Sequence, residues 1–221
     1  MGKNTAAHLT AFLTILIWGT TFIATKVLLR DFTPVEILFS RFTLGFLALS
    51  CVPGGIHFTT FRNELLFAGA GFSGVTLYFL FENIALQYTL VSNVGILVTV
   101  APFFTALLSR FFGKKEPLYP AFFIGFLLAL GGIALISFNG SVILKLNPAG
   151  DILAILAALV WAVYSIFMKR IGELGYPMIP ATRRVFFYGL LLMIPALFFM
   201  DFHPALRQML KPVNLFNFAY L

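Results

Sequence analysis

AAHLTAFLTILIWGTTFIATKVLLRDFTPVEILFSRFTLGFLAL, residues 6–49, and AGDILAILAALVWAVYSIFMKRIGELGYPMIPATRRVFFYGLLL, residues 149–192, align at an offset of 143 residues without a gap. The offset superposes the only two tryptophans, Trp18 and Trp161, and with them Lys26 on Lys169, Pro34 on Pro177 and Arg41 on Arg184. Eleven of the 44 positions are identical. Several are Leu or Ala matches that an apolar composition makes cheap, so the weight rests on the four uncommon pairs. A chain that repeats itself this way is built from duplicated halves.

The composition says where those halves live. Hydrophobic residues make up 60% of the 221, charged residues 10%, and 28 are phenylalanine; the mean hydropathy is +0.97. A soluble domain carries about 25% charged residues to solvate its surface, so this chain is a polytopic membrane protein whose first partner is the lipid bilayer. The net charge of +7 does not point to nucleic acid, because no basic cluster is interleaved with aromatics on a polar surface. It reads instead as loop charge that sets orientation. Cys51 is the single cysteine, which excludes an intrachain disulfide. His8, His57 and His203 have no ligand spacing and no metal site follows. No glycine-rich nucleotide loop is present, and no cofactor is expected.

Apolar runs of about 20 residues cross roughly 30 Å of hydrocarbon. They predict seven transmembrane helices near 9–29, 34–53, 64–86, 90–112, 119–138, 150–170 and 181–200, with a stub of an eighth in Asn214–Leu221. Pro34, Pro53, Pro117, Pro148 and Pro180 fall at or beside their ends, where a missing N–H is harmless. Uniformly apolar segments of this length are helices and not barrel strands. The fold class is therefore all-α, a polytopic membrane helix bundle. The first run is too long for a signal peptide and lacks a cleavage site.

With the N-terminus inside, Lys3, Arg62, Arg110, Lys114, Lys115, Lys169, Arg170, Arg183 and Arg184 face the cytoplasm, while Arg30, Lys145, Arg207 and Lys211 face out. That asymmetry predicts a cytoplasmic N-terminus. Five helices per repeat is an odd number, so the second copy enters from the opposite side and the two form an inverted pair. Residues 1–143 then make a first five-helix repeat and 144–221 a partial second, with helices six, seven and the start of eight. Two full repeats need about 286 residues, so the arithmetic predicts a C-terminally truncated chain.

The stretch Trp18-Gly-Thr-Thr-Phe, followed by Lys26, Pro34 and Arg41, resembles the opening of EamA-type permeases of the drug/metabolite transporter superfamily. Residues 79–116, FLFENIALQYTLVSNVGILVTVAPFFTALLSRFFGKKE, are similar to the third and fourth helices of that family, through Ala85-Leu86, Tyr88-Thr89, Ser92, Pro102 and the closing Glu116. The second copy of the motif begins at Trp161 and Lys169. The resemblance implies ten helices in two inverted EamA-like five-helix repeats around a central cavity. It implies transport of small-molecule metabolites or drugs by alternating access across a cell membrane, the bacterial inner membrane, with homo-oligomerisation open. Two alternatives stand beside it: a truncated, inactive or assembly-dependent membrane protein, and a polytopic enzyme, for which the short inner loops offer only Glu64, Glu116 and Glu173.

Six residues are candidates for lining the cavity. Glu82 is the acidic residue well inside a span, beside Asn83. A carboxylate in lipid must face the bundle or be protonated, so Glu82 either couples protons or binds a cationic group, or else is hydrogen-bonded by Asn83 or a neighbouring helix near the outer end. Arg41 either attracts anions or forms an interhelix pair, or its stem snorkels to the interface. For Lys26, Lys169 and Arg184, snorkelling is the expectation. Trp18 and Trp161 lie mid-span, away from the interfacial belts, and either line a polar cavity or pack between helices. Pro102 sits in the middle of the fourth span. It kinks that helix and frees carbonyls near Val98, either lining a path or serving packing alone. Ala154, Ala158 and Ala162, Gly69 with Ser73, and Gly125 with Ala129 form small-residue stripes for close helix packing.

Overall fold

The computed structural model describes residues 3–55, 58–112, 119–137, 147–203 and 206–221. His57, Lys114, Lys115, Glu116, Pro117, residue 138 and Lys145, on which expectations above rest, lie outside the described residues. Eleven helices are found among the described residues, with one π-helical segment. They are α1 (Lys3–Leu28), α2 (Pro34–Ser50), α3 (Phe61–Ala70), the π segment Gly71–Leu77, α4 (Tyr78–Tyr88), α5 (Val91–Val98), α6 (Ala101–Phe112), α7 (Pro120–Ser137), α8 (Pro148–Glu173), α9 (Met178–Phe199), α10 (Leu206–Met209) and α11 (Pro212–Tyr220). Five stretches are long and apolar enough to cross a membrane: Thr5–Leu28, Phe61–Tyr88, Val91–Phe112, Pro148–Glu173 and Met178–Phe199. Shorter helices fill the places of the other two expected spans: α2, of 17 residues, and α7, of 18. The chain is an all-helical, multi-pass membrane bundle.

Side chains expected to reach toward water instead close helix ends. A helix leaves its last carbonyls without intrahelical donors, and a cation there also meets the negative end of the helix dipole. The Lys26 ammonium donates to the Leu86 carbonyl at the end of α4. The Arg170 guanidinium donates to Phe112 O, at the end of α6, at 2.8 Å. The Arg183 guanidinium donates to the carbonyls of Leu49 and Gly54 and, at 2.6 Å, to that of Val52, around the end of α2. The expectation that Lys26 snorkels is thus corrected: desolvated carbonyls one helix away are nearer than the interface. Lys169, its repeat mate, is exposed.

These bonds also set the helix directions. The C-terminal part of α1 touches Leu86 through Lys26, whereas the N-terminal part of α8 touches Thr89, whose hydroxyl donates to Asp151 Oδ1 at 3.0 Å. Leu86 and Thr89 lie at one end of the same helix, so α1 and α8 run antiparallel. At that end the Asn147 side chain caps α8 through Gly150 N and donates to the Tyr88 carbonyl at 2.8 Å. Thr33 and Glu36 form a capping box at the start of α2, and the second Glu36 oxygen accepts from His203 N at 2.9 Å, tying the end of α9 to the start of α2. Helix α11 descends from there along α1, with Phe218 against Phe32 at 5.2 Å and its Asn214 amide donating to Asp31 at 2.7 Å.

The third span, Phe61–Tyr88, is the spine. It crosses α9 backbone to backbone at Gly71 and Gly189: a Cβ on Gly71 would lie 2.6 Å from Gly189 N and from Val185 O, and one on Gly189 would lie 2.5 Å from the Val75 side chain. Without a hydrophobic drive between helices in lipid, such close approach supplies the dispersion energy of association. The π segment falls at this crossing, and one extra residue per turn widens the helix there. The buried Thr76 hydroxyl donates to Gly189 O across it at 2.9 Å. Of the expected small-residue stripes, Ala154, Ala158 and Ala162 are fully buried on α8, and Gly69 meets the Phe167 ring. A Cβ on Gly125 would have no neighbour within 4 Å among the described residues.

Candidate functional site

The fourth expected span breaks where Pro102 requires it. A proline at that position has no N–H for the Val98 carbonyl one turn earlier. The chain leaves α5 at Val98, turns through Thr99 and Val100 with bonds to Ile96 O and Leu97 O, and resumes as α6 at Ala101. Pro102 therefore stands in the first turn of a new helix. It lines a pocket of about 390 Å3 between α6 and α8, together with Ala101, Thr105, Ala106, Trp161 and Ser165. The structure brings two of the six sequence candidates, Pro102 and Trp161, into one cavity.

Trp161 is the hub of an aromatic cluster. Its ring centroid lies 5.1 Å from Trp18, edge-on, 4.7 Å from Tyr78 and 4.9 Å from Tyr164. The Trp18 contact is edge-to-face and the two tyrosine rings are tilted; an edge-to-face pair contributes about 0.5–1.5 kcal/mol beyond area burial. The two tryptophans that the repeat aligned are thus in contact, at matched depths on antiparallel helices. Trp18 is not among the residues lining that pocket; it packs against Trp161 and keeps 48% of its surface exposed.

Behind the cluster lies the buried charge. Tyr78 also stacks edge-on against Phe79, at 4.7 Å, and its hydroxyl interacts with the Glu82 carboxylate one turn along α4. Glu82 is 3% exposed. The Arg41 guanidinium sits over the Phe79 ring at 4.4 Å and attracts Glu82 electrostatically. Arg41 is therefore an interhelix partner of the third span and does not snorkel, because the ring face and the carboxylate offer it a nearer environment than the interface. A continuous path of contacts runs from the pocket through Trp161 and Tyr78 to Glu82 and Arg41. Asn83 is not on it. Adjacent helical residues project about 100° apart, and the Asn83 amide donates instead to the Pro34 carbonyl of α2 at 3.2 Å, leaving its buried Oδ1 without a partner.

Sequence reasoning missed a second charged cluster. Arg184, 4% exposed, contacts Glu64 at 3.3 Å and lies over the Phe67 ring at 4.4 Å and the Tyr176 ring at 5.2 Å. Glu64 also accepts from Tyr188 at 2.8 Å and from the Thr59 N–H at 2.8 Å. Tyr176, between α8 and α9, donates to Thr59 Oγ1 at 3.1 Å. The expectation of a snorkelling Arg184 is corrected by this burial and pairing. A signal was present: the third span carries one carboxylate toward each end, and the repeat supplies two matched arginines to meet them. Among the described residues no group of three His, Cys, Asp or Glu side chains could hold a metal ion.

Residues 5–138, more than half of the chain, match the EamA-like transporter family. An uncharacterised transporter of Archaeoglobus fulgidus is 30% identical over 197 residues, covering 87% of this chain and 67% of that protein. The Bacillus subtilis uncharacterised transporters YdfC and YcxC are 28% and 25% identical, over 72% and 77% of this chain and 52% and 56% of their own lengths. The chain thus spans about half to two thirds of the length of these relatives. A solved crystal structure superposes with a TM-score of 0.65 at 20% identity, over 98% of this chain and 78% of the other, a likeness of fold.

Proposed function

Because this chain belongs to the EamA-like transporter family, we propose that it is a permease moving small metabolites or drugs across the cell membrane by alternating access, its solute passing the pocket between α6 and α8. The observation that carries this is the contact of Trp18 with Trp161 beside that pocket. If the halves are inverted copies, residues exchanged by their symmetry can touch only near its axis, and a site on that axis is reachable from either side as the halves rock. In this reading 1–143 and 144–221 are the EamA-like repeats and the N-terminus is cytoplasmic. Glu82 is the coupling group, its carboxylate held beside the pocket through Tyr78. Transport is favoured over polytopic membrane catalysis because Glu64 and Glu82 each face an arginine, Glu36 is taken up by the Thr33 and His203 N–H groups, and the matched relatives carry transporter names.

The test is flux through the full chain in proteoliposomes, across a panel of small solutes with and without a pH gradient. A solute moved by the wild type should lose at least about tenfold in flux with Trp161→Ala, at equal amounts of folded protein. Glu82→Gln, which keeps size but not charge, should remove the dependence on the gradient. No flux of any solute by the folded wild type would overturn the reading.

A further inference from the structure

We propose that the pocket between α6 and α8 takes a protonated amine on an apolar body and rejects carboxylates, a substrate class that rests on the transport reading above. The argument is an inventory of donors and acceptors on its walls. Two hydroxyls line it, and each has already spent its single O–H. Thr105 Oγ1 donates to Ala101 O at 2.9 Å, and Ser165 Oγ donates to Trp161 O at 2.9 Å. A hydroxyl bonded back to its own helix can offer a ligand only lone pairs. Both therefore face the pocket as acceptors.

The backbone adds to the same side. Pro102 brings no N–H to the wall. Ala101, Ala106 and the proline ring supply apolar wall, and Trp161 supplies a π-face that attracts cations. No lysine, arginine or histidine is among the lining residues, and the Trp161 indole N–H is the single side-chain donor left uncommitted in that lining. A carboxylate entering here would give up its water for one donor at most, and burying an anion without donors is strongly unfavourable. An ammonium would find two hydroxyl acceptors and an indole face. The Glu82 carboxylate stands behind Tyr78, whose ring touches Trp161. Arg41, which would repel a cation, is held on the far side over Phe79. At about 390 Å3 the cavity holds a small amine with one aromatic or aliphatic group.

The two tryptophans make the test direct. Replacing Trp18 by Phe keeps an aromatic edge against Trp161 and leaves Trp161 as the sole indole emitter. The Trp18→Phe protein, reconstituted in lipid nanodiscs, is titrated with phenethylamine and with hydrocinnamate, which share the phenyl body and differ in the charged end. The expected result is a saturable change in Trp161 emission with phenethylamine and at least about tenfold weaker binding of hydrocinnamate. Thr105→Val and Ser165→Ala should each weaken phenethylamine binding about tenfold, the loss of one hydrogen bond to a charged donor. Thr105→Ser should retain it, which separates the hydroxyl from packing. Equal or tighter binding of hydrocinnamate would overturn the proposal. So would the absence of a saturable phenethylamine signal in protein that is helical and monodisperse, or hydroxyl variants that bind phenethylamine like the parent. Binding and flux are read separately. Phenethylamine that binds but is never moved leaves the ligand class standing and removes the transport reading. Flux of an anionic solute by protein that does not bind phenethylamine does the reverse.

Discussion

Arg41 and Arg184 stand in equivalent places, each seven residues after a proline of the repeated pattern, and the third span meets both with a carboxylate and a phenylalanine ring. The two ends are nevertheless built differently. At Glu64 the ion pair is in contact, and Tyr188 and the Thr59 backbone satisfy the carboxylate, with two rings backing the guanidinium. At Glu82 the arginine is held by the Phe79 ring and by electrostatic attraction, and the carboxylate shares its surroundings with Tyr78 and the aromatic hub. The first arrangement is a brace that resists motion between the starts of α3 and α9. The second, in the transport reading proposed above, leaves a buried charge free to change partners. If the two aligned stretches are copies, the same arginine is supplied twice, and the surroundings of the carboxylate set the two ends apart.

The brace gives the largest expected effect. Removing one member of a buried, hydrogen-bonded pair leaves the other charged and unpaired, at a cost of about 3–5 kcal/mol. Glu64→Ala should therefore lower stability by about 3 kcal/mol in denaturant titrations, with Arg184 left as an isolated buried cation. Arg41→Met, which keeps the stem against Phe79 and breaks no contact ion pair, should cost less than Glu64→Ala while abolishing coupled flux. Equal destabilisation by the two substitutions would erase the distinction between brace and active end.

The crossing between the two ends ranks next. A side chain at Gly71 meets backbone atoms of Gly189 and Val185 that cannot rotate away. Gly71→Val should cost about 1–3 kcal/mol by overpacking, whereas Gly125→Val, which enters open space, should be nearly neutral. The same denaturant titration measures both. A neutral Gly71→Val would mean that the π segment gives way, and the third span would then be a poor spine for comparing its ends.

The sequence disclosed the class through apolar run lengths and composition, and the 143-residue offset aligned Trp18 with Trp161, but their contact with each other came only with the structure. Pro102 was legible too, since a missing N–H acts locally. What stayed hidden needed a partner distant in sequence. Glu64 and Arg184 lie 120 residues apart, and a rule that sends long cationic stems to the interface says nothing about a carboxylate waiting on another span. Lys26 failed for the same reason, since its partner is a helix-end carbonyl and carries no side-chain signature. Asn83 was adjacent to Glu82 in sequence yet turned toward Pro34, because helical neighbours do not share a face. The π segment had a trace in the closely spaced Gly69, Gly71 and Gly74, but widening of a helix follows from the crossing with α9 and not from those residues alone.

The smallest effect scales the comparison by supplying an ion pair outside the membrane spans. Asp31, just past α1, accepts from the Lys211 ammonium at 3.2 Å and from the Asn214 amide at 2.7 Å. These hydrogen bonds, Asn214 first and then Lys211, hold its pKa below the ordinary value of 3.8. A depressed folded-state pKa favours the ionised form on folding. The stability it contributes is fully present above the unfolded pKa and disappears as pH falls through the lower folded one. Wild-type thermal stability should therefore decline as acid is added from about pH 4 downward, and Asp31→Asn should lose that part of the decline while being slightly less stable at neutral pH. Exposed pairs are screened by salt, so raising the ionic strength should shrink the gap between wild type and Asp31→Asn and leave the Glu64→Ala deficit unchanged. If salt relieved both deficits alike, the Glu64–Arg184 contact would be an exposed pair in effect, and its description as a buried brace would fail.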